Sequence, residues 1–213
     1  MIKDLQSILA SLSPLDNPAL IAIDGRPCSG KTTLACALAE TLEAETYYLD
    51  EFLIPRNQWS KNIQPCFPFP YFRYDEFVLG IETLAAGKSF QYLPYDFETG
   101  ELSGVKKEIV PAKKPIIIEG VSVLQSRLLR NYLKRIFVVS DPASERASIF
   151  QREGVKSKDL WENLYLPSVD LYFKTRPWEQ ADIIYLGRGI SSEEKAENVL
   201  RLSKKPESGK IKA

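Results

Sequence analysis

The sequence predicts an α/β fold, with a parallel five-stranded core sheet, helices on both faces and an inserted loop and hairpin region. Three observations carry this prediction. Five short runs, 19–24, 46–50, 115–119, 135–140 and 181–186, are apolar almost throughout, as strands covered on both faces must be. Segments of helical composition separate most of them, so crossovers rather than tight hairpins join the strands. The first run also leads straight into a glycine-containing loop and a helix-forming stretch, "GRPCSGKTTLACAL".

Each element follows from its local sequence. Residues 3–12 suit a short helix, closed by Pro14 and Pro18. After the first strand, 31–42 has helical composition, and "TYYLD" (46–50) is the second strand. "PRNQWSKNIQPCFPFPYF" holds four prolines and reads as loop. Residues 74–88 form an amphipathic helix ended by Gly87, and two extended segments around a glycine turn follow it. "PIIIE" is the third core strand, and helical "SVLQSRLLRNYL" (122–133) leads to the fourth. Two helical stretches separate the fourth and fifth strands, and a last helix covers 191–203. These elements make one domain, 1–203, with an insertion at 51–114, a lid near 142–158 and a polar tail, 204–213, expected to be disordered.

Composition narrows the function. Of 213 residues, 44% are hydrophobic and 26% charged, the profile of a soluble globular chain. Lys and Arg number 28 and Asp and Glu 28, so the balanced charge argues against nucleic acid as a partner. No apolar run approaches the roughly 20 residues that span a bilayer, so no membrane role is expected. The N-terminal stretch lacks the apolar core of a signal peptide. Cys28, Cys36 and Cys66 form no CxxC pair, which suits the cytoplasm. The chain has no histidine, so proton transfer falls to other groups, carboxylates first.

Gly25 to Thr32 matches G-x-x-x-x-G-K-[ST] in full, between a buried strand and a helix. The glycines let successive N–H groups curl inward toward phosphate oxygens, and the helix N-terminus adds to that field. The motif makes Gly25, Cys28, Ser29, Gly30, Lys31, Thr32 and Thr33 the nucleotide-contacting set, with ATP as the nucleotide. Lys31 would reach the β and γ phosphates, and Thr32 would ligate Mg²⁺. This is the phosphate loop of a three-layer P-loop NTPase fold. Two carboxylates, Asp50 and Glu119, end strands on the side the loop faces, each a candidate base or outer-sphere Mg²⁺ ligand. A GTPase would carry an N-K-x-D motif, and the sequence has none.

Further motifs occur in order: "YYLDEF", "YDFETG", "IIIEGV", "FVVSDPASERASIFQREG" and "PWEQADIIYLGRG". With the phosphate loop, they make the chain resemble the uridine kinase/phosphoribulokinase group over roughly residues 19–190. The resemblance implies that Asp50 orients or deprotonates an acceptor hydroxyl and that Glu119 lies near Mg²⁺. It implies that Tyr95, Asp96 and Phe97 pack on the acceptor ring, and that Arg146 and Arg152 of the lid neutralise the transferring phosphoryl group. The pattern departs from the group in three places. Leu53 stands where a tyrosine is usual, Ile149 and Phe150 stand where an arginine pair is expected, and "ETGELSG" follows Phe97 without the histidine and arginine of pyrimidine-specific members. The resemblance therefore implies the reaction and leaves the acceptor open.

Arg73 and Asp75, in "YFRYDEF", could bind acceptor hydroxyls or an acceptor phosphate, or simply start a solvated helix. Tyr95 and Phe97 alternate along an extended segment and face either pocket or core. The leading reading is an ATP-dependent kinase acting on a small-molecule hydroxyl, with a homo-oligomer left open. The alternative is a nucleotide-binding regulator, or a degenerate kinase, that acts through a protein partner. It rests on the aromatic "CFPFPYF" as a candidate exposed patch.

Overall fold

The computed structural model of the protein describes residues 4–12, 18–111, 114–153 and 157–202. The expected tail 204–213 and the lid residue Lys156 lie outside the described residues. The strands are β1 (Leu20–Gly25), β2 (Glu45–Tyr48), β3 (Phe90–Tyr92), β4 (Lys107–Ile109), β5 (Ile116–Glu119), β6 (Lys134–Val139) and β7 (Ile183–Leu186). Five of them form one parallel sheet in the order β2-β5-β1-β6-β7, and β3 and β4 pair antiparallel as a separate hairpin. The helices are α1 (Leu5–Ser11), α2 (Lys31–Leu42), α3 (Tyr74–Ala85), α4 (Pro142–Glu153), α5 (Lys158–Leu160), α6 (Leu166–Phe173) and α7 (Glu193–Leu202). A π-helical segment, Trp161–Tyr165, joins α5 to α6.

The two-residue period of a strand divides the core in two. Ile21 and Ile23 of β1, Ile117 of β5, and Ile136 and Val138 of β6 face α1 and α2, meeting Ile8, Leu34, Ala35 and Leu38. Leu20, Ala22, Ile116, Ile118, Phe137 and Val139 face the other way, onto Phe77, Val78, Ile81 and Leu84 of α3 and onto Tyr172 of α6. Every strand residue of β1 and β5 is buried. The carboxyl ends of β1, β2 and β5 therefore deliver their last side chains to one edge, where ligands bind in open α/β sheets.

Two expectations change. The segment 122–133 is a chain of turns with a single 3₁₀ turn at Leu129–Asn131, not a helix. Its first N–H groups are captured by tertiary bonds: Asp24 accepts from Ser122 N at 3.2 Å and from Leu124 N at 2.8 Å, with Ser122 held at φ +87°. The second strand stops at Tyr48, and Leu49–Phe52 winds into a 3₁₀ turn that carries Asp50. Within 51–114, α3 is a core helix, buried along Tyr74, Phe77, Val78, Ile81 and Leu84.

Candidate active site

The phosphate loop is shaped by three residues at positive φ: Gly25 (+152°), Cys28 (+58°) and Gly30 (+107°). A side chain at Gly25 would meet the Val138 carbonyl oxygen at 2.5 Å, so the strand end admits only glycine. Gly30 faces open space instead, and its constraint is conformational. The loop is braced from within and from behind. Lys31 donates from Nζ to the Arg26 carbonyl at 2.8 Å. Arg188, after β7, donates from Nε to Cys28 O at 3.0 Å and from its backbone N to Ser29 O at 2.9 Å. Arg26 is tied away from the loop, to Glu145 of α4 at 2.9 Å and Asp170 of α6 at 2.7 Å.

In front of the loop lies a cavity of about 330 Å³, lined by Cys28 to Thr33 and by Ser148, Gln151, Arg152 and Arg188. Its residues suit a triphosphate. The Ser29 hydroxyl is buried with no hydrogen-bond partner among the described residues, and nothing stands within 4 Å of the Gly30 Cα face. Such an orphaned donor beside curled amides is what an anion would satisfy.

A larger cavity of about 650 Å³ opens beside it and shares Cys28, Lys31, Thr32 and Arg152. Asp50 and Glu119 reach it from the ends of β2 and β5, and Trp59, Tyr71, Tyr95, Phe97 and Trp161 wall it. Thr32 donates from Oγ1 to Glu119 at 3.0 Å, and Lys31 Nζ lies 3.8 Å from the same carboxylate. Burial pushes the Glu119 carboxyl up to about 7; the Lys31 charge opposes this, and the Asp50 charge adds to it. Two converging carboxylates, a lysine and a hydroxyl can hold a cation and a phosphate together. Among the described residues no group of three His, Cys, Asp or Glu could hold a metal. Mg²⁺ here would rest on Thr32, Glu119 and phosphate oxygens, as this hard, strongly hydrated ion usually does.

Not every expected residue reaches the cavities. Arg73 does not line them; its Nη2 donates to the Glu51 and Leu93 carbonyls and its Nη1 to Glu76. Asp75 is exposed in the first turn of α3, which fits the solvated helix start. Arg146 is more than half exposed and lies 3.5 Å from Glu162, outside both cavities, while Arg152 lines both. Tyr95 and Phe97 resolve toward the pocket, edge to face at 5.1 Å, with Phe97 66% exposed. Sequence reasoning missed Ser148 and Gln151 of α4, and Arg188, whose one signal was that "GRG" follows the last strand. It also missed Asp24, which takes Tyr172 Oη–H at 2.5 Å as well as three backbone N–H groups.

No family model matches the chain. Sequence relatives exist nonetheless. It is 29% identical over 137 residues to the uridine kinase of Brevibacillus brevis, and 32% identical over 136 residues to that of Clostridium novyi. These matches cover 60% and 58% of this chain, and 62% of each relative. Over these stretches the chain is similar to uridine kinases. A third such relative, the chloroplastic uridine/cytidine kinase of Arabidopsis thaliana, is 27% identical over 172 residues, covering 73% of this chain. The chain spans 35% to 62% of the length of these curated uridine kinases. The fold agrees with that of a possible uridine kinase from Bacillus stearothermophilus, at TM-score 0.63 and 23% identity, covering 85% of this chain and 94% of that one. The likeness to uridine kinases read from the motifs holds, and so does the α/β class with its five-stranded parallel sheet. No helix among the described residues is long and apolar enough to cross a membrane.

Proposed function

We propose that the chain is a small-molecule kinase that moves the γ-phosphoryl group of ATP to a hydroxyl of a nucleoside-like acceptor. One observation carries this reading: the phosphate loop and the carboxylates of Asp50 and Glu119 meet where two adjoining cavities share Lys31 and Thr32. The likeness to uridine kinases supports it. ATP with Mg²⁺ would supply the transferable group and the charge that neutralises it. The loop amides and Lys31 would hold the phosphates, and Thr32 and Glu119 the metal ion.

Asp50 takes the acceptor proton on its carboxylate. It stands exposed at the cavity, close enough to Glu119 for its charge to be felt there. Arg152 borders both cavities and offers its charge to the group in transit. The aromatic walls present flat apolar faces to a ring-bearing acceptor. Glu98 and Glu101 near the mouth disfavour an acceptor that already carries phosphate.

The test combines Asp50→Asn with a panel of uridine, cytidine, a free sugar, a sugar phosphate and a pantothenate-like alcohol, read as ADP release. The variant should bind ATP normally and turn over about 10² to 10⁴ times more slowly on the best acceptor. Full activity removes Asp50 from the chemistry. Tight ATP binding by the unaltered protein, with no transfer to any acceptor, would favour the regulator reading.

A further inference from the structure

We propose that Arg73 is a positioning residue, which holds the turn bearing Asp50 and the segment bearing Tyr95, beyond β3, in one register. The inference rests on the reading of Asp50 as the base. That residue stands beyond the last ladder bond of β2, in a 3₁₀ turn of four residues. Such a turn cannot fix a carboxylate by itself.

The bonds that hold this turn against its surroundings converge on Glu51 and Phe52. The Glu51 carbonyl oxygen accepts from Arg73 Nη2 at 3.1 Å and from the Tyr95 backbone N at 2.7 Å. The same Nη2 donates to the Leu93 carbonyl at 2.6 Å, and the Arg73 backbone N donates to Phe52 O at 2.7 Å. The guanidinium lies 5.1 Å over the Phe52 ring, and Glu76 anchors its Nη1 at 2.5 Å. One planar fork therefore spans the base-bearing turn and the acceptor wall. The Glu51 side chain repeats the theme, accepting from Lys107 Nζ at 2.9 Å, while Lys107 also donates to Thr46 O at 3.2 Å.

A lysine ammonium is a point charge on a flexible stem and does not reproduce the flat, rigid fork that lies over Phe52 while its nitrogens reach in fixed directions. A displacement of about 1 Å in a catalytic group costs roughly 10²-fold in rate. Arg73 thus acts through Asp50 and touches no reactant.

The experiment is a double-mutant cycle of Arg73→Met and Asp50→Asn, with Arg73→Lys as the milder variant, using the best acceptor of the panel above. Rates are normalised to ATP-binding-competent protein. Arg73→Met should lower kcat roughly 10 to 100-fold at unchanged ATP affinity, and Arg73→Lys should restore part of it. In the Asp50→Asn background the same change should cost little, because there is no base left to misplace. Equal losses in both backgrounds overturn the proposal and leave Asp50 standing, whereas full activity in Asp50→Asn alone overturns the base and the clamp with it. Hydrogen exchange gives an acceptor-free readout. The Tyr95 amide should exchange faster in both Arg73 variants, with the Leu34 amide of α2 unchanged, and an unchanged Tyr95 amide refutes the clamp.

Discussion

Lys31 is 6% exposed, and its ammonium stands between the Arg26 carbonyl and the buried Glu119 carboxylate. Its removal would cost the phosphate site a charge-assisted bond and the loop a brace. Charge-assisted hydrogen bonds are worth about 1.5–3 kcal/mol, so Lys31→Ala should weaken ATP binding roughly 10 to 100-fold. Titration calorimetry with ATP checks this, and unchanged affinity would show that the loop does not grip a nucleotide through Lys31. The position was legible because the chemistry of this motif is local: eight consecutive residues, between a strand and a helix, specify the whole cradle. Arg188 was not legible. It follows Ser29 by more than 150 residues, and only the pairing of β6 with β7 brings it behind the loop. Arg73 shows the converse, since nothing in "YFRYDEF" reveals that its Nη2 is taken by two main-chain carbonyls and its Nη1 by Glu76.

Among the elements, α3 best shows how packing reads where propensity does not. Gly80 sits mid-helix, where glycine costs about 1 kcal/mol relative to alanine. Its reason is the Tyr47 hydroxyl, which donates to the Phe77 carbonyl at 3.2 Å and occupies the space a Cβ at Gly80 would need. Gly80→Ala should therefore destabilise the fold by about 1–3 kcal/mol despite the better helix propensity. Urea unfolding measures it, and a gain in stability would mean that the Tyr47 ring yields freely. Helix α2 and the five core strands were legible because their apolar patterns are dense and agree with their neighbours. The stretch 122–133 misled because Leu124 and Leu128 are buried at a helix-like spacing of four, while Asp24 bends the backbone through bonds formed across 98 and 100 residues.

At the scale of the molecule, the order β2-β5-β1-β6-β7 lies beyond any local pattern, because it records where each crossover lands. Its functional consequence is that the excursion after β6 carries α4 with Arg152, while the loop after β7 carries Arg188. The base of that excursion is fastened at Arg135 and Asp182. Asp182 accepts from Arg135 N at 2.9 Å and from its guanidinium at 2.5 and 3.1 Å, and Asp182 N donates back to Arg135 O at 2.9 Å. Burial alone would raise the Asp182 carboxyl, but the Arg135 bonds and charge outweigh it and hold the group below its ordinary value of 3.8. The sign follows from linkage. A depressed carboxyl contributes stability that is present above pH 3.8 and lost as pH falls through the folded-state value. The pair is 30% exposed on each side, so solvent screening trims its worth. Asp182→Asn should cost about 1 kcal/mol at pH 7. In urea melts at descending pH the gap between variant and parent should narrow below 3.8. A gap that stays constant into acid would mean that Asp182 acts by shape rather than charge. If the excursion is also loosened, ATP affinity at pH 7 should fall with stability, because Arg152 and Arg188 approach the phosphate loop only while β6 and β7 stay paired.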